Sequence, residues 1–251
     1  KLGEVIVPAG TRVGAREMAL LFEAGVKRVA GWASPRVAVV ATGSEITQEA
    51  DGLSSGFRRC SNASYIAALM SRIGVTDIRT IVVPDDIRQL TRTLVELDAV
   101  CDVIITVGGT GKGKRDYTRQ AVSDAGGVFV GHDTQLDSPF VTARLPHAGL
   151  IGLPGNPLAV MMIVQCVLLE SVRSVFHLPE APAQTVEAVM TEDIEAGICG
   201  ELCVNVNESA AKPLIKGTGR MRVFDSARGF VRLNGQGIKR GERVRVELFR
   251  N

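Results

Sequence analysis

The sequence lacks the features that direct a chain to a membrane or to nucleic acid. Its first twenty residues carry no signal-peptide pattern, and we expect no apolar run to approach the length needed to cross a bilayer. Aromatic residues make up 4% of the chain and are not regularly spaced, so a stacking surface for nucleic-acid bases is not indicated. We therefore predict a cytoplasmic protein whose partners are neither membranes nor nucleic acids.

Metal-binding side chains are few and scattered. The five cysteines show no zinc-type pair of Cys-x-x-Cys motifs, and the three histidines (His132, His147 and His177) are not spaced as a metal cluster. Cys101 and Cys166 lie in apolar stretches, where a cysteine behaves as a small buried hydrophobic residue. An odd number of cysteines without a pairing pattern indicates a reduced, cytosolic compartment.

Length and composition predict a globular chain with two domains of unequal size. The 251 residues, 45% of them hydrophobic, are enough for one ordinary α/β domain and a smaller second domain. The net charge of +2 conceals an asymmetry, because residues 212–251 carry 11 basic and 3 acidic side chains. The simplest interpretation is a solvated basic face on a small domain. The chain begins at Lys1 with what already resembles the interior of a protein, so we expect a fragment or a processed form.

A regular alternation of strands and helices begins at Arg36. The apolar runs and helical spacings predict strands at 37–40, 81–83 and 103–107 and helices around 66–70, 87–100 and 117–124. Short strands without polar alternation are typical of a parallel sheet covered by helices on both faces. We predict an α/β domain with a doubly wound, mostly parallel sheet over residues 36–178, preceded by a lead-in segment, 1–35, that contains a helix at 15–23.

The C-terminal part has a different pattern. Pro179 and Pro182 bracket a linker, and no long helical stripe follows it. Apolar and polar residues alternate at 186–190, 202–206, 230–233 and 244–249. We predict a small all-β domain over residues 183–251.

The strongest functional signal is a glycine-rich loop after the strand 103–107. Residues 108–116 read Gly-Gly-Thr-Gly-Lys-Gly-Lys-Arg-Asp, and so many glycines raise the entropic cost of folding too far for an ordinary turn. Backbone N–H groups in such a loop, with a helix behind it, bind anions. The spacing also fits a nucleotide P-loop, but Arg115 replaces the Ser or Thr that would hold Mg²⁺. A phosphate or pterin site is favoured over an ATPase.

Three further loops follow predicted strands and are expected at the same edge of the sheet. Either Ser61 or Asn62 would serve as a helix N-cap, and Asp86 is well placed to cap the next helix, which leaves Asp85 free. Asn156 as N-cap and Pro157 at the first helical position predict a helix start at 157–158.

The ordered set of loops resembles the molybdenum-cofactor biosynthesis fold. The residues that carry the resemblance are Thr42-Gly43-Ser44-Glu45, Ser61-Asn62, Pro84-Asp85-Asp86, Gly108-Gly109-Thr110-Gly111, Asp116-Tyr117-Thr118 and Leu153-Pro154-Gly155-Asn156-Pro157. The glycine-rich loop is closer to the molybdopterin adenylyltransferases. The C-terminal domain, which contains Gly-Glu-Arg-Val-Arg-Val over 241–246, resembles that of the molybdopterin molybdotransferases, a family that includes the gephyrin E domain. Because of this domain, the resemblance to the molybdotransferases is favoured over that to the adenylyltransferases.

This resemblance implies a site for molybdopterin, or for its adenylylated form, along the strand ends. Molybdate would be the second substrate, and Glu45, Asp85 and Asp116 would be catalytic and would hold molybdate and Mg²⁺. The substrate-binding residues implied in this way are Thr42, Gly43, Ser44, Ser61, Asn62, Gly108, Gly109, Thr110, Gly111, Thr118, Pro154, Gly155, Asn156 and Pro157. The resemblance also implies a homodimer, in which large N-terminal domains complete the site.

One segment departs from the family pattern. Molybdotransferases usually have Lys-Pro-Gly-Lys-Pro before the strand that matches 141–145, whereas residues 135–139 read Gln-Leu-Asp-Ser-Pro. Each lost ammonium group is a lost partner for molybdate or phosphate, although Lys112, Lys114 and Arg115 lie in the neighbouring loop. Two hypotheses follow: a molybdotransferase, or a diverged carrier or sensor that binds molybdopterin without inserting the metal.

Overall fold

The computed structural model describes residues 3–47, 58–109, 117–131, 140–178, 183–214 and 220–250. A six-stranded sheet has the order β4-β1-β5-β8-β7-β6. Its strands are β1 (Arg36–Thr42), β4 (Asp77–Val83), β5 (Val103–Val107), β6 (Val128–Gly131), β7 (Val141–Arg144) and β8 (Gly149–Leu153). The first four in spatial order run parallel, and β7 is antiparallel to both of its neighbours. The predicted doubly wound, mostly parallel sheet is therefore confirmed.

Strand β1 shows why the apolar runs do not alternate. Val37 and Val39 point into the core on one face of the sheet, whereas Ala38 and Val40 point into the core on the other face. Burial on both faces removes the need for polar residues within the strand.

Helices cover both faces of this sheet. One face carries α2 (Ser61–Arg72) and a longer helix made of α5 (Pro157–Ile163), a π-helical turn (Val164–Leu168) and α6 (Leu169–Val175). The other face carries α3 (Ile87–Asp98) and α4 (Tyr117–Asp124), which pack through leucine and small apolar side chains. A short parallel pair, β2 (Ile46–Thr47) and β3 (Arg58–Arg59), lies outside the large sheet.

The expectation about apolar runs is wrong for the long helix. Its 19 residues, Pro157–Val175, reach a mean hydropathy of 1.8 over their most apolar stretch, which by length and composition would suffice to cross a membrane. Of that stretch, 61% is buried inside the protein. Val160 and Ile163 pack against the sheet, whereas Met161 and Met162 pack against the C-terminal barrel. The helix is apolar on nearly all sides because it lies between two layers.

The C-terminal part is a closed barrel with strand order β10-β11-β9-β13-β12. Its elements are β9 (Thr185–Met190), β10 (Cys199–Asn207), β11 (Ala210–Pro213), α7 (Arg220–Ser226), β12 (Gly229–Asn234) and β13 (Arg243–Leu248). The four predicted strands are confirmed, while β11 and the short helix α7 were not predicted. The predicted lead-in helix is also present as α1 (Ala15–Glu23), and none of its side chains is buried against the described residues.

Candidate functional site

The candidate site lies at the edge where the parallel strands end. The strands β4, β1, β5 and β8 finish side by side, because Thr42 pairs with Val83, Ala41 pairs with Val107, and Val107 pairs with Leu153. The helices α2 and α4, which follow the neighbouring strands β1 and β5, cover opposite faces of the sheet. Such a switch point opens a crevice in which α/β proteins bind ligands. We call this edge the carboxyl edge. The loops singled out from the sequence lie along it, as far as the structure describes them.

Two glycines form the centre of the carboxyl edge. Gly108 has a φ of 100°, and its N–H donates to the carbonyl of Leu153 at 2.9 Å. A Cβ atom at Gly108 would lie 2.7 Å from the Thr42 carbonyl oxygen, and one at Gly109 would lie 2.7 Å from the Thr118 hydroxyl. Side chains are thus excluded by both backbone conformation and space. The turn brings bare backbone to the surface, as an anion site requires.

The Pro-Gly turn after β8 contacts this centre and is held by α2. A Cβ atom at Gly155 would lie 3.9 Å from the Cα of Gly108, so the two turns touch. The Asn62 side-chain amide donates to the Gly155 carbonyl at 3.1 Å. The prediction that Ser61 or Asn62 caps α2 is wrong: the N-cap is Cys60, and both residues belong to the first helical turn. Asn62 instead points across the site and is 8% exposed.

The loop after β1 is bound to the loop after β4. Gly43 donates its N–H to the Val83 carbonyl at 3.1 Å. The Ser44 N–H donates to the Asp85 carboxylate at 3.3 Å, and the Asp85 N–H donates to the Ser44 hydroxyl at 3.1 Å. Asp85 was predicted to be free, but one of its oxygens accepts the Ser44 amide. These reciprocal bonds hold the Asp85 carboxylate at the rim, where the exposed Glu45 follows Ser44 in the chain.

Two predicted site residues, Asn156 and Pro157, and the neighbouring Asp86 have the structural roles that the sequence indicated. The Asp86 carboxylate accepts from the Gln89 N–H at 2.9 Å and caps α3. Asn156 accepts from the N–H of Leu158 at 2.9 Å, and Pro157 occupies the first turn of α5. These caps orient two helices with their N-terminal ends at the carboxyl edge, which adds a favourable field for an anion.

Metal binding rests on residues that the structure describes only in part. Within the described ranges, no three His, Cys, Asp or Glu side chains are grouped so as to hold a metal ion. Asp116, the third predicted carboxylate, lies outside the described residues, as do Thr110, Gly111, the basic side chains of the glycine-rich loop and residues 135–139. Of the predicted catalytic carboxylates, Glu45 and Asp85 lie among the described residues of the carboxyl edge, beside the helix-capping Asp86.

Burial governs the titration of the groups near α2. It raises the pKa of the Cys60 thiol, so this cysteine stays protonated at neutral pH and is a poor nucleophile. Burial also raises the pKa of Tyr65 to about 12, opposed by the hydrogen bond that its phenol oxygen accepts from Gln165. These two side chains therefore support the fold rather than acid–base chemistry.

The known proteins that this chain resembles are molybdopterin proteins. Residues 38–174 match a family described as the probable molybdopterin binding domain. The molybdopterin molybdenumtransferase of Nostoc sp. is 30% identical over 165 residues, which cover 64% of this chain and 38% of the relative. The enzyme of the same name from Bacillus subtilis is 30% identical over 195 residues, 76% of this chain and 45% of the relative. The chain thus spans less than half the length of these curated relatives.

Solved structures support the same fold. A molybdopterin biosynthesis protein MoeA from Pyrococcus horikoshii superimposes with a TM-score of 0.82 over 98% of this chain and 62% of its own, at 24% identity. The barrel and the sheet are therefore both found in one known architecture. Since the family match spans more than half of the sequence, this chain belongs to the molybdopterin-binding domain family.

Proposed function

We propose that the carboxyl edge binds molybdopterin, or its adenylylated form, and that the chain acts in molybdenum cofactor biosynthesis as a molybdopterin molybdotransferase. The observation that carries the proposal is the bare backbone turn at Gly108 and Gly109, which lies at a switch point between helices on opposite faces. Backbone N–H groups in such a turn suit a phosphate group. Membership of the molybdopterin-binding domain family supports a pterin phosphate as the ligand.

Two carboxylates at the rim have the chemistry of a Mg²⁺ site. Mg²⁺ prefers one or two protein carboxylates and keeps several water molecules, so the pair Glu45 and Asp85 suits it without a closed protein cage. Asp85 keeps one carboxylate oxygen that the Ser44 amide does not occupy. When bound there, Mg²⁺ would neutralise charge on a phosphoanhydride. We assign Asp116, on the glycine-rich loop, to the same role.

The proposed reaction has two steps, hydrolysis of the phosphoanhydride and transfer of molybdenum to the dithiolene. Water attacks the phosphoanhydride of adenylylated molybdopterin, its P–O bond breaks, and AMP leaves with the oxygen and protons of water shared between the two phosphate products. The two dithiolene sulfurs then bind molybdenum, and one oxide ligand of molybdate leaves as water with the two thiol protons. The turn and the carboxylates hold the phosphate end in place, so that the pterin is oriented toward molybdate.

An assay with a matched pair of aspartates tests this proposal. Purified protein is mixed with adenylylated molybdopterin, molybdate and Mg²⁺, and AMP release is followed. Asp85→Asn removes the charge but keeps an oxygen to accept the Ser44 amide, so we expect AMP release to fall about a hundredfold. Asp86→Asn is the control: Asn also caps helices well, and the rate should stay within about twofold.

The outcomes separate the candidate functions. Loss of AMP release in Asp85→Asn and in Asp116→Ala, with Asp86→Asn unchanged, supports the molybdotransferase. Equal rates in Asp85→Asn and in the unaltered protein would overturn the role of this carboxylate. An unaltered protein that retains no molybdopterin at all would overturn the proposed function.

A carrier or sensor of molybdopterin is the second candidate. The observation that favours it is the segment 135–139, which lacks both lysines of the usual family pattern and contains Asp137. Tight retention of molybdopterin without AMP release would identify this function. Restoring lysines at Gln135 and Ser138 should then give AMP release if the missing ammonium groups are the only defect.

The proposal includes the setting of the protein. All five cysteines are free, which supports a reduced, cytoplasmic compartment. We also propose a homodimer, as the family resemblance implies, and a division into a lead-in segment (1–35), a molybdopterin-binding domain (36–178) and a β domain (183–251). Sedimentation of the purified protein tests the dimer.

A further inference from the structure

Two buried threonines enclose the glycine turn at the carboxyl edge. Thr42, at the end of β1, is 6% exposed, and Thr118, in the first turn of α4, is 0% exposed. The Thr118 side chain is therefore closed to solvent, whereas the resemblance implied a substrate contact for this residue. A buried hydroxyl at such a place needs another explanation.

The two threonines bind three successive carbonyl groups of the loop. The Thr42 hydroxyl donates to the Val107 carbonyl at 3.4 Å, and the Thr118 hydroxyl donates to the Gly108 carbonyl at 3.1 Å. The Thr118 N–H donates to the Gly109 carbonyl at 3.4 Å. The negative ends of these peptide dipoles thus point into the protein.

The bond to the Gly108 carbonyl also sets the direction of the next amide. In a planar trans peptide, the C=O of one residue and the N–H of the following residue point in opposite directions. With its C=O directed at Thr118, the peptide between Gly108 and Gly109 directs the Gly109 N–H away from α4. Among the described residues, none accepts a hydrogen bond from this N–H. Within the described part of the protein, this amide is thus available to a ligand.

A turn made of glycines needs such a restraint. Glycine adopts positive and negative φ with similar ease, so the peptide between Gly108 and Gly109 can rotate at little cost. A rotated peptide would present its carbonyl oxygen, rather than its N–H, to an anionic ligand. One hydrogen bond to the carbonyl is enough to favour a single orientation by about tenfold.

We infer that Thr118 is a positioning residue: its buried hydroxyl holds the Gly108–Gly109 peptide so that the Gly109 N–H faces the phosphate of the ligand. This inference rests on the proposed function for the identity of the ligand, but not for the orientation of the peptide. Thr118 acts through the turn and does not touch the substrate.

The experiment compares Thr118→Val, which removes the hydroxyl, with Thr118→Ser, which keeps it. The dissociation constant of molybdopterin is measured anaerobically at a temperature where all variants are folded. We expect it to rise about tenfold in Thr118→Val and to stay within about twofold in Thr118→Ser. Thr106→Val is the matched control, because the buried Thr106 hydroxyl on β5 has no hydrogen-bond partner among the described residues.

A second measurement examines the ligand-free protein. In protein labelled with ¹⁵N-glycine, Thr118→Val should shift or broaden the Gly109 amide signal, whereas Thr118→Ser should leave it in place. An unchanged Gly109 signal in Thr118→Val would overturn the inference, whatever the ligand. A purely structural role for Thr118 would lower the melting temperature without changing the dissociation constant, which also contradicts the inference. Failure of the unaltered protein to bind molybdopterin would instead overturn the proposed function.

Discussion

The two edges of the large sheet are built in different ways. At the amino edge, where β1 and β5 begin, the guanidinium of Arg36 forms two hydrogen bonds with the Asp102 carboxylate, at 2.8 and 3.1 Å. Nearby, the buried Asp98 carboxylate accepts from the N–H groups of His147 and Ala148 at 3.0 and 2.8 Å. Charged side chains therefore close this edge directly.

At the carboxyl edge, polar side chains orient the backbone instead. Thr42, Asn62 and Thr118 each donate to a backbone carbonyl of a turn. The turns themselves contain Gly43, Gly108 and Gly109, all at positive φ, and the Gly109 N–H has no acceptor among the described residues. The amino edge thus uses its polar side chains to bind one another and the ends of strands, whereas the carboxyl edge leaves the Gly109 amide without an acceptor among the described residues, as the proposed ligand site requires.

A matched pair of glycine substitutions should show the largest difference in stability between the two edges. Gly108→Ala places a Cβ 2.7 Å from the Thr42 carbonyl oxygen at a φ of 100° and should lower the free energy of unfolding by about 3 kcal/mol. Gly149→Ala, at the amino edge, meets only the Asp102 carbonyl at 3.9 Å and should change it by less than about 0.5 kcal/mol. Urea unfolding measures both, and equal effects would contradict the difference between the edges.

Asp98→Ala should destabilise the protein without affecting ligand binding. It leaves two N–H groups, those of His147 and Ala148, without their acceptor, at a cost of about 2–3 kcal/mol in the free energy of unfolding. Asp98→Asn keeps an oxygen acceptor and should lose less. The dissociation constant of molybdopterin should stay the same in both variants, and a large rise in it would show that the amino edge contributes to the site.

The pH dependence of stability should reveal the ion pair at the amino edge. The hydrogen bond from Arg36 lowers the pKa of Asp102 below its usual value. The ionised Asp102 carboxylate then makes its full contribution to the free energy of unfolding above the unfolded-state pKa of about 4. This contribution declines as the pH falls through the lower folded-state pKa. Unfolding midpoints in urea should drop over this acid range less steeply in Asp102→Asn than in the unaltered protein. Parallel pH profiles would contradict this assignment.

Thr106→Val should have the smallest effect. The Thr106 side chain is 0% exposed, and nothing in the described part of the chain forms a hydrogen bond with its hydroxyl. Because burying an unpaired hydroxyl is unfavourable, replacing it with a methyl group should raise the free energy of unfolding by up to about 1 kcal/mol. A clear loss of stability would show that the hydroxyl does have a partner in solution.

Most of the helices and strands could be predicted from local patterns in the sequence. The helices Ala15–Glu23 and Tyr117–Asp124 and the strand Val103–Val107 have the predicted bounds, because turn residues and apolar periodicity mark their ends in the sequence. The caps formed by Asp86 and Asn156 were equally clear, since each side chain bonds to its own helix.

Contacts between distant segments could not be predicted in this way. Asn62 bonds to Gly155, 93 positions later, so its local context suggested a cap instead. Nothing in the sequence shows that the Thr118 side chain is buried or that its hydroxyl bonds to the Gly108 carbonyl, ten positions earlier. The apolar length of the helix Pro157–Val175 was underestimated for a similar reason. Its second apolar face packs against the barrel, and the sequence does not show that the two are neighbours.

Hydrogen–deuterium exchange with and without molybdopterin tests the central claim most directly. We predict that molybdopterin protects amides at the carboxyl edge, at 43–46, 85–86, 108–109 and 155–156. Amides at the amino edge, at 99–102, 145 and 147–149, should exchange at the same rates in both states. Protection of the amino edge or of the barrel, with the glycine turn unchanged, would contradict the account.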